Sequence, residues 1–208
     1  MRIAALAFAL TVLVGSAASA QDFSLRPFAL FAAQQFAATK TFEATFGQAN
    51  QQFWGGGVSI TQDDRYYLDL AASRFEKTGT RAFFFNGTAF GTGVSQKITI
   101  TPLELTAGYR FHPWPRVIPT LGGGVALYRY KQVSDFSTDE ENVDTQHAGA
   151  VVEGGVEFRL HRWIGVAADV HYAYVPGILG EDPNAFSTAA GEKNLGGVAA
   201  RVKLIVGK

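Results

Sequence analysis

The sequence contains no cysteine. A disulfide scaffold is therefore excluded, and the fold must be held by packing and hydrogen bonds alone. Charge is scarce too. Asp, Glu, Lys and Arg make up 17% of the 208 residues, against about 25% in soluble domains. The 18 basic and 18 acidic side chains cancel, which removes any general electrostatic case for nucleic acid. After the first twenty residues there is no apolar run long enough for a spanning helix, and no linker or composition break divides the chain. What is plentiful is glycine, alanine and phenylalanine.

Residues 1–20 read as a cleaved signal peptide. Arg2 supplies the positive start, Ile3 to Val14 the apolar middle, and Ala18-Ser19-Ala20 a small-residue cleavage site before Gln21. The apolar run, about a dozen residues, is too short for a membrane span, and no cysteine follows the site to carry a lipid. Residues 21–208 are then expected to form one domain.

The stretch from Thr99 to Lys131 shows the rule that the chain repeats. From Leu103, the residues Leu103, Leu105, Ala107, Tyr109 and Phe111 alternate with Glu104, Thr106, Gly108 and Arg110, a period of two that specifies a β-strand. His112-Pro113-Trp114-Pro115-Arg116 ends it, because each proline lacks a backbone donor and fixes φ. A second extended run, Ile118 to Tyr130, returns antiparallel. Aromatics at the turn (Tyr109, Phe111, Trp114) and at the far end (Tyr128, Tyr130) bracket aliphatic residues, the pattern of a strand solvated by lipid.

Six further runs follow suit: Pro27 to Phe36, whose phase is ambiguous, Phe53 to Thr61, Tyr66 to Phe75, Ala148 to Leu160, Trp163 to Tyr174 and Leu195 to Val206. Residues 37–52 read as a polar connection, 76–96 as a long Gly/Thr/Asn-rich loop, 131–146 as an acidic loop and 175–194 as the last long loop. Short turns fall at 62–65, 112–116 and 161–162. Eight strands thus alternate long and short connections, the layout of an up-and-down membrane barrel. The aromatics then sort into two rings. Phe28, Tyr66, Tyr109, Phe111, Phe158 and Trp163 fall at the short-turn end, and Phe36, Trp54, Phe75, Tyr128, Tyr130, Tyr172 and Tyr174 at the long-loop end.

In this layout, and in strand texture such as Glu104-Leu105-Thr106-Ala107-Gly108-Tyr109-Arg110-Phe111 and Leu121-Gly122-Gly123-Gly124-Val125, the mature chain resembles the small bacterial outer-membrane β-barrel proteins. The resemblance implies an all-β fold, an eight-stranded antiparallel up-and-down transmembrane β-barrel after a cleaved signal peptide, placed in the cell outer membrane. It implies contact with outer-membrane lipid and lipopolysaccharide, and assembly by the barrel-assembly machinery. It carries no catalytic signature. The chain departs from the pattern at its end, where Ile205-Val206-Gly207-Lys208 stands in place of a terminal aromatic.

Other motifs have plainer readings. No helical period follows Gly55-Gly56-Gly57 or Gly122-Gly123-Gly124, so these are in-strand glycines that ease curvature and close approach, not phosphate cradles. His112, His147, His161 and His171 lack metal-ligand spacing. His171 shares a face with Asp169, but Tyr172-Ala173 follows where the lipid A deacylases of outer membranes have His-x-Ser. Asp135, Asp139, Glu140, Glu141 and Asp144 lack the alternating oxygens and central glycine of a calcium loop and read as a solvated loop. Asn86-Gly87-Thr88 reads as an ordinary turn.

Alternation does not say which face is inside, so charge must decide. If the polar face were the outside, some ten charged strand residues would have to solvate an entire barrel, too few for a soluble surface. The polar face is therefore read as the lumen. It carries Asp69, Glu104, Glu153, Glu157 and Asp169 against Arg110, Arg159, Arg201 and Lys203, a nearly balanced set that a confined lumen tolerates only when paired or hydrated. The expected hub is Arg201, bridging Asp169 and reaching towards Glu153 or Glu104 in a structural role. The expected function is structural, adhesive or recognition work through external loops that would meet host, surface or envelope ligands, around a plugged, non-conducting lumen. No catalytic, cofactor-binding or metal residues are expected. The rivals are a narrow channel or small-molecule carrier across the outer membrane, and a soluble periplasmic ligand-binding barrel.

Overall fold

The computed structural model describes residues 22–85, 88–112, 114–134, 142–179 and 186–207, leaving aside the side chains of 81–92 and Phe186. The expected signal peptide, Asn86-Gly87, and Asp135, Asp139, Glu140 and Glu141 of the acidic loop lie outside the described residues. Eight strands form: β1 (Phe23–Phe36), β2 (Asn50–Gln62), β3 (Tyr66–Phe85), β4 (Thr88–Arg110), β5 (Val117–Ser134), β6 (Val143–His161), β7 (Ile164–Tyr174) and β8 (Gly197–Val206). Every neighbouring pair is antiparallel, and β1 pairs with β8 through Phe28↔Ile205 to Phe36↔Gly197, closing the sheet into an up-and-down barrel. Closure removes both edges, so every strand finds partners on each side along the barrel wall.

Short turns gather at one end, here the turn end, and long connections at the other, the loop end. The β2–β3 turn passes through Asp63 and Asp64 at φ 50° and 55°, left-handed positions that Asp tolerates and that match the twist of a tight hairpin. At the loop end, residues 76–96 are not a loop. β3 and β4 run on as a hairpin of 20 and 23 residues, paired from Glu76↔Thr99 to Phe85↔Thr88 with one register shift. Its sequence hides this because the outward Glu76 and Thr78 no longer contrast with the inward Lys77. The 37–52 connection contains a helix, α1 (Thr39–Phe46), closed by Gly47 in the left-handed region with its N–H on the Glu43 carbonyl. A single turn, α2 (Phe186–Ala189), lies in the last connection. β8 starts at Gly197, and Leu195 is buried in the connection before it.

The outward face is apolar. Leu121 is 61% exposed, Val170 60% and Val125 59%, whereas Glu104, Asp169 and Arg201 are buried inside. The aromatics expected in the two rings divide here. Tyr66, Phe111, Phe158, Trp163, Trp54, Tyr172 and Tyr174 stand on the outer wall. Phe28, Phe36, Phe75, Tyr128 and Tyr130, expected in the rings, instead point into the barrel and are buried. β1 is in phase with Arg26, Phe28, Leu30, Ala32, Gln34 and Phe36 inward, and β5 with Ala126, Tyr128 and Tyr130 inward. On β1 apolar residues fall on both faces and alternation loses its sign, and at the end of β5 the sign is reversed, with Tyr128 and Tyr130 inside and Arg129 and Lys131 outside.

Candidate functional site

The candidate site is the lumen, and it has two compartments. Inward positions alternate along each strand, so a compartment's chemistry is set by which inward residues fall at that height. Towards the loop end these are Phe36, Phe53, Phe75, Ile98, Ile100, Tyr128 and Tyr130, joined by Ala173 and Val151. α1 lies over them and inserts Phe42, whose ring stacks on Phe36 at 3.8 Å and 17°. Phe53 and Phe75 follow at 5.5 Å, and Phe46 meets Phe75 edge-on at 5.7 Å. This is packing of the kind found in a water-soluble core.

The helix is held from across the mouth. Ala38, its N-cap residue, makes no side-chain cap. In its place Glu192 accepts the Lys40 and Thr41 backbone N–H groups at 2.8 and 2.9 Å and the Thr41 hydroxyl at 2.6 Å. A carboxylate at a helix N-terminus is favourable both as a hydrogen-bond acceptor and as a charge against the helix dipole. Asn194 ties down the same connection, its Oδ1 accepting the Val175 and Gly196 N–H groups at 2.7 and 3.0 Å.

Below this core the lumen is ionic. Arg201 donates from Nε to Asp169 Oδ1 at 2.6 Å, from one terminal nitrogen to Glu104 Oε2 at 2.9 Å, and from the other to Glu153. Register places the first pair, since Asp169 and Arg201 are cross-strand partners on β7 and β8. Lys203 Nζ donates to Asp69 at 3.2 Å and lies 3.5 Å from Asp169 and 3.7 Å from Glu153. Nearer the turn end, Glu157 accepts from Arg110 at 2.8 Å and from both terminal nitrogens of Arg26.

Of the nine candidate residues, eight line this lumen. Arg159 does not. It stands part-exposed at the turn-end rim, paired with Asp64, whose carboxylate also lies 3.1 Å from Arg110 Nη2 and 3.2 Å from His112 Nε2. Burial works against ionisation of Asp64, but the hydrogen bond from Arg159 and the charges of Arg110 and Arg159 outweigh it and hold its carboxyl below the usual range.

Four further side chains take part that the nine charged candidates did not include. Arg26 is hidden by the ambiguous phase of β1. Tyr67 donates to Glu153 at 2.9 Å, in a slot formed by glycines: a Cβ on Gly122 would come within 2.2 Å of its hydroxyl, and one on Gly108 within 2.5 Å of its ring. Thr106 adds a 3.3 Å bond to the same carboxylate. His171, already placed on the polar face, is buried 3.4 Å from Glu104 without hydrogen-bond alignment. Between the two ionic clusters lies a void of about 30 Å³ lined in part by Asp69, Arg110, Glu153 and Glu157, room for a water. Asp69 Oδ1 and Arg110 Nε, which lack protein partners, are the groups such a water would serve.

No family model matches the chain, and no curated protein matches it in sequence. Solved structures do match in fold. A major outer membrane protein from Thermus thermophilus is 10% identical with a TM-score of 0.56, over 88% of this chain and 99% of the other. The N-terminal β-barrel domain of Pseudomonas aeruginosa OprF is 14% identical with a TM-score of 0.51, over 89% of this chain and 97% of the other. At these identities the likeness shows the fold. The chain has the eight-stranded closed barrel of outer-membrane β-barrel proteins.

Proposed function

We propose that this chain spans the outer membrane as a closed barrel that does not conduct, and that it works as a structural, adhesive or recognition element through its loop end. The observation that carries the reading is the inversion of polarity: aliphatic side chains cover the outer wall while carboxylates and guanidinium groups are buried within. Water would have to solvate that wall in a soluble barrel, and exposed apolar surface of this extent demands a lipid or protein partner. Eight strands enclose little more than side-chain volume, and here aromatic packing and ion pairs occupy it. The loop end, with α1 latched across the mouth and the β3–β4 hairpin rising past β2, is the part shaped to meet something outside.

The test is paired. Cysteines introduced at Gln48, in the connection after α1, and at Arg116, in the β4–β5 turn, are probed on intact cells with a maleimide too bulky to pass porins. Labelling at Gln48 alone is the expected result, and equal labelling overturns the topology. Purified barrel in a planar bilayer should give no steady conductance; a stable open channel moves the function to transport. A monomer that folds without detergent rules out the membrane reading altogether.

A further inference from the structure

The outer wall of β3, β4 and β5 changes character within one step. Register aligns its outward residues in rungs: Tyr66, Tyr109 and Leu121; then Leu68, Ala107 and Gly123; then Leu70, Leu105 and Val125; then Ala72, Leu103 and Leu127. The next rung, about 6.7 Å further along the strands, brings Thr101 beside Arg129, with Arg74 immediately before the Phe75↔Ile100 pair. Glu76, Thr99 and Lys131 follow, and Lys97 stands one rung beyond. Trp54, the cross-strand partner of Arg74, is 66% exposed at the same height. An exposed tryptophan marks the level of lipid headgroups.

Arg74, Glu76, Lys97, Arg129 and Lys131 surround an open cleft of about 400 Å³, with Thr99 and Thr101 among its lining. Four cations, Arg74, Lys97, Arg129 and Lys131, share the surface with two carboxylates. Glu76 pairs with Arg74 and Lys97, and Asp144 holds Arg129 through two bonds of 2.9 and 2.6 Å. Four minus two leaves a net charge of +2. The carboxylates fix the direction of the guanidinium groups without neutralising the patch. A phosphate monoester carries about −1.5 to −2 charge with three acceptor oxygens, and guanidinium forks and threonine hydroxyls suit such an acceptor.

We propose that this cleft is a binding site for the phosphorylated sugar headgroup of an outer-leaflet glycolipid of the lipid A type. Placement selects that occupant. The cations begin one rung above an apolar wall, so a ligand seated there rests its acyl chains on Leu103, Leu105 and Leu127 while its phosphate meets Arg74, Arg129 and Lys131. A soluble anion or an acidic protein segment would gain nothing from the wall below. The inference rests on the membrane reading of the preceding subsection.

The experiment measures binding of the barrel, folded in dodecylmaltoside micelles, to four probes: bisphosphorylated lipid A, fully dephosphorylated lipid A, phosphatidylglycerol and inorganic phosphate. Bisphosphorylated lipid A should bind far more tightly than the other three. Arg129→Gln with Lys131→Gln should weaken it about 25-fold, about fivefold for each cation removed near an anionic headgroup. Arg162→Gln, which removes an exposed cation at the turn end, should change nothing. Each variant is checked for folding by its heat-dependent gel mobility, and Lys97→Gln alone, expected to lose about fivefold, replaces any double variant that does not fold.

Equal affinity for dephosphorylated lipid A or for phosphatidylglycerol would overturn the proposal, the latter reducing the cleft to a general basic surface. Displacement of lipid A by millimolar inorganic phosphate would make it a soluble-anion site and overturn it too. Loss of binding on Arg162→Gln would do the same. If the cleft fails while loop-end labelling on cells holds, this inference falls alone. If the barrel folds without detergent, the membrane reading falls first.

Discussion

The two halves of the lumen occupy the same cylinder and are built from the same strands, yet they are held by opposite means. Near the loop end Phe36, Phe42, Phe53 and Phe75 interlock as they would in the centre of a soluble protein. Near the turn end Arg201, Lys203, Arg26 and Arg110 are each paired with buried carboxylates. An aromatic core is non-directional and tolerates loss of a part, because its remaining contacts survive. A buried ionic network is directional, and removing one member strands charges that no longer have water. The difference teaches where each half should break and how it can be mended.

The largest effect is expected at Arg201. Arg201→Met leaves Asp169, Glu104 and Glu153 without their shared partner, and should destabilise the barrel by about 4 kcal/mol in urea unfolding from lipid vesicles. Combining it with Asp169→Asn and Glu104→Gln should recover a large part of that loss, since the penalty lies in the stranded carboxylates. If the triple variant is weaker than the single one, the ionic half is held by packing and the contrast between the halves collapses.

Phe53→Ala comes next. Phe53 is 1% exposed and its ring sits 5.5 Å from Phe75 and 5.9 Å from Phe36, so truncation should cost about 3 kcal/mol in transfer and cavity terms. Phe53→Leu, which restores volume but not shape, should recover more than half in the same unfolding assay. Arg201→Met and Phe53→Ala should add, because the sites share no partner. Non-additivity would mean that the compartments are one cooperative unit.

This contrast also explains which parts of the molecule can be read from the sequence. Eight strands, their alternation of short and long connections and the inward face of β4, β6, β7 and β8 follow from period-two patterning, because Glu104, Glu153, Asp169 and Arg201 sit opposite aliphatic residues. In the aromatic half the polarity reverses, with Tyr128, Tyr130 and Phe75 inward and the charged Arg129, Lys131, Arg74 and Glu76 alternating with them on the outside. Tyr128 and Tyr130 are therefore indistinguishable in sequence from wall residues and read as members of the outer ring, although they point inward. Arg26 is the clearest loss, a lumenal cation on a strand whose Ala, Phe and Gln residues give no phase. The β3–β4 extension is lost for a related reason: beyond lipid, outward positions need not be apolar, so Glu76-Lys77-Thr78 reads as loop while pairing as strand. Phe42 and Phe46, four residues apart, are the signal for α1, in a segment too short and polar to stand out.

A smaller effect is expected at the latch over the aromatic half. Glu192→Ala removes the acceptor of two α1 backbone N–H groups and the Thr41 hydroxyl. Loss of a helix cap costs about 1 kcal/mol, and because α1 is local the barrel's global unfolding midpoint should barely move. The change should appear as faster hydrogen exchange of the α1 amides and faster proteolysis near Gly47. Faster exchange spreading into the ionic half would contradict the separation of the two compartments.

The smallest expected effect lies at the turn-end rim, where Asp64 joins the ionic half to solvent. Its carboxyl titrates below the ordinary value of 3.8, with burial opposed and outweighed by the hydrogen bond from Arg159 and the charges of Arg110 and Arg159. A carboxylate whose folded pKa is depressed contributes stability above its unfolded pKa, and that contribution is lost as the pH falls through the folded value. The window for the Asp64 carboxyl is therefore below about pH 4. The side chain is 41% exposed, so solvent screening keeps the contribution to about 0.5 kcal/mol. The measurement is the difference in unfolding midpoint between the wild type and Asp64→Asn, taken at pH 7 and again near pH 3. The wild type should be the more stable at pH 7, and the two should converge in acid as the native carboxyl takes up a proton. A difference that persists undiminished at pH 3 would assign the effect to packing of the turn, and the rim would then belong with neither half of the lumen.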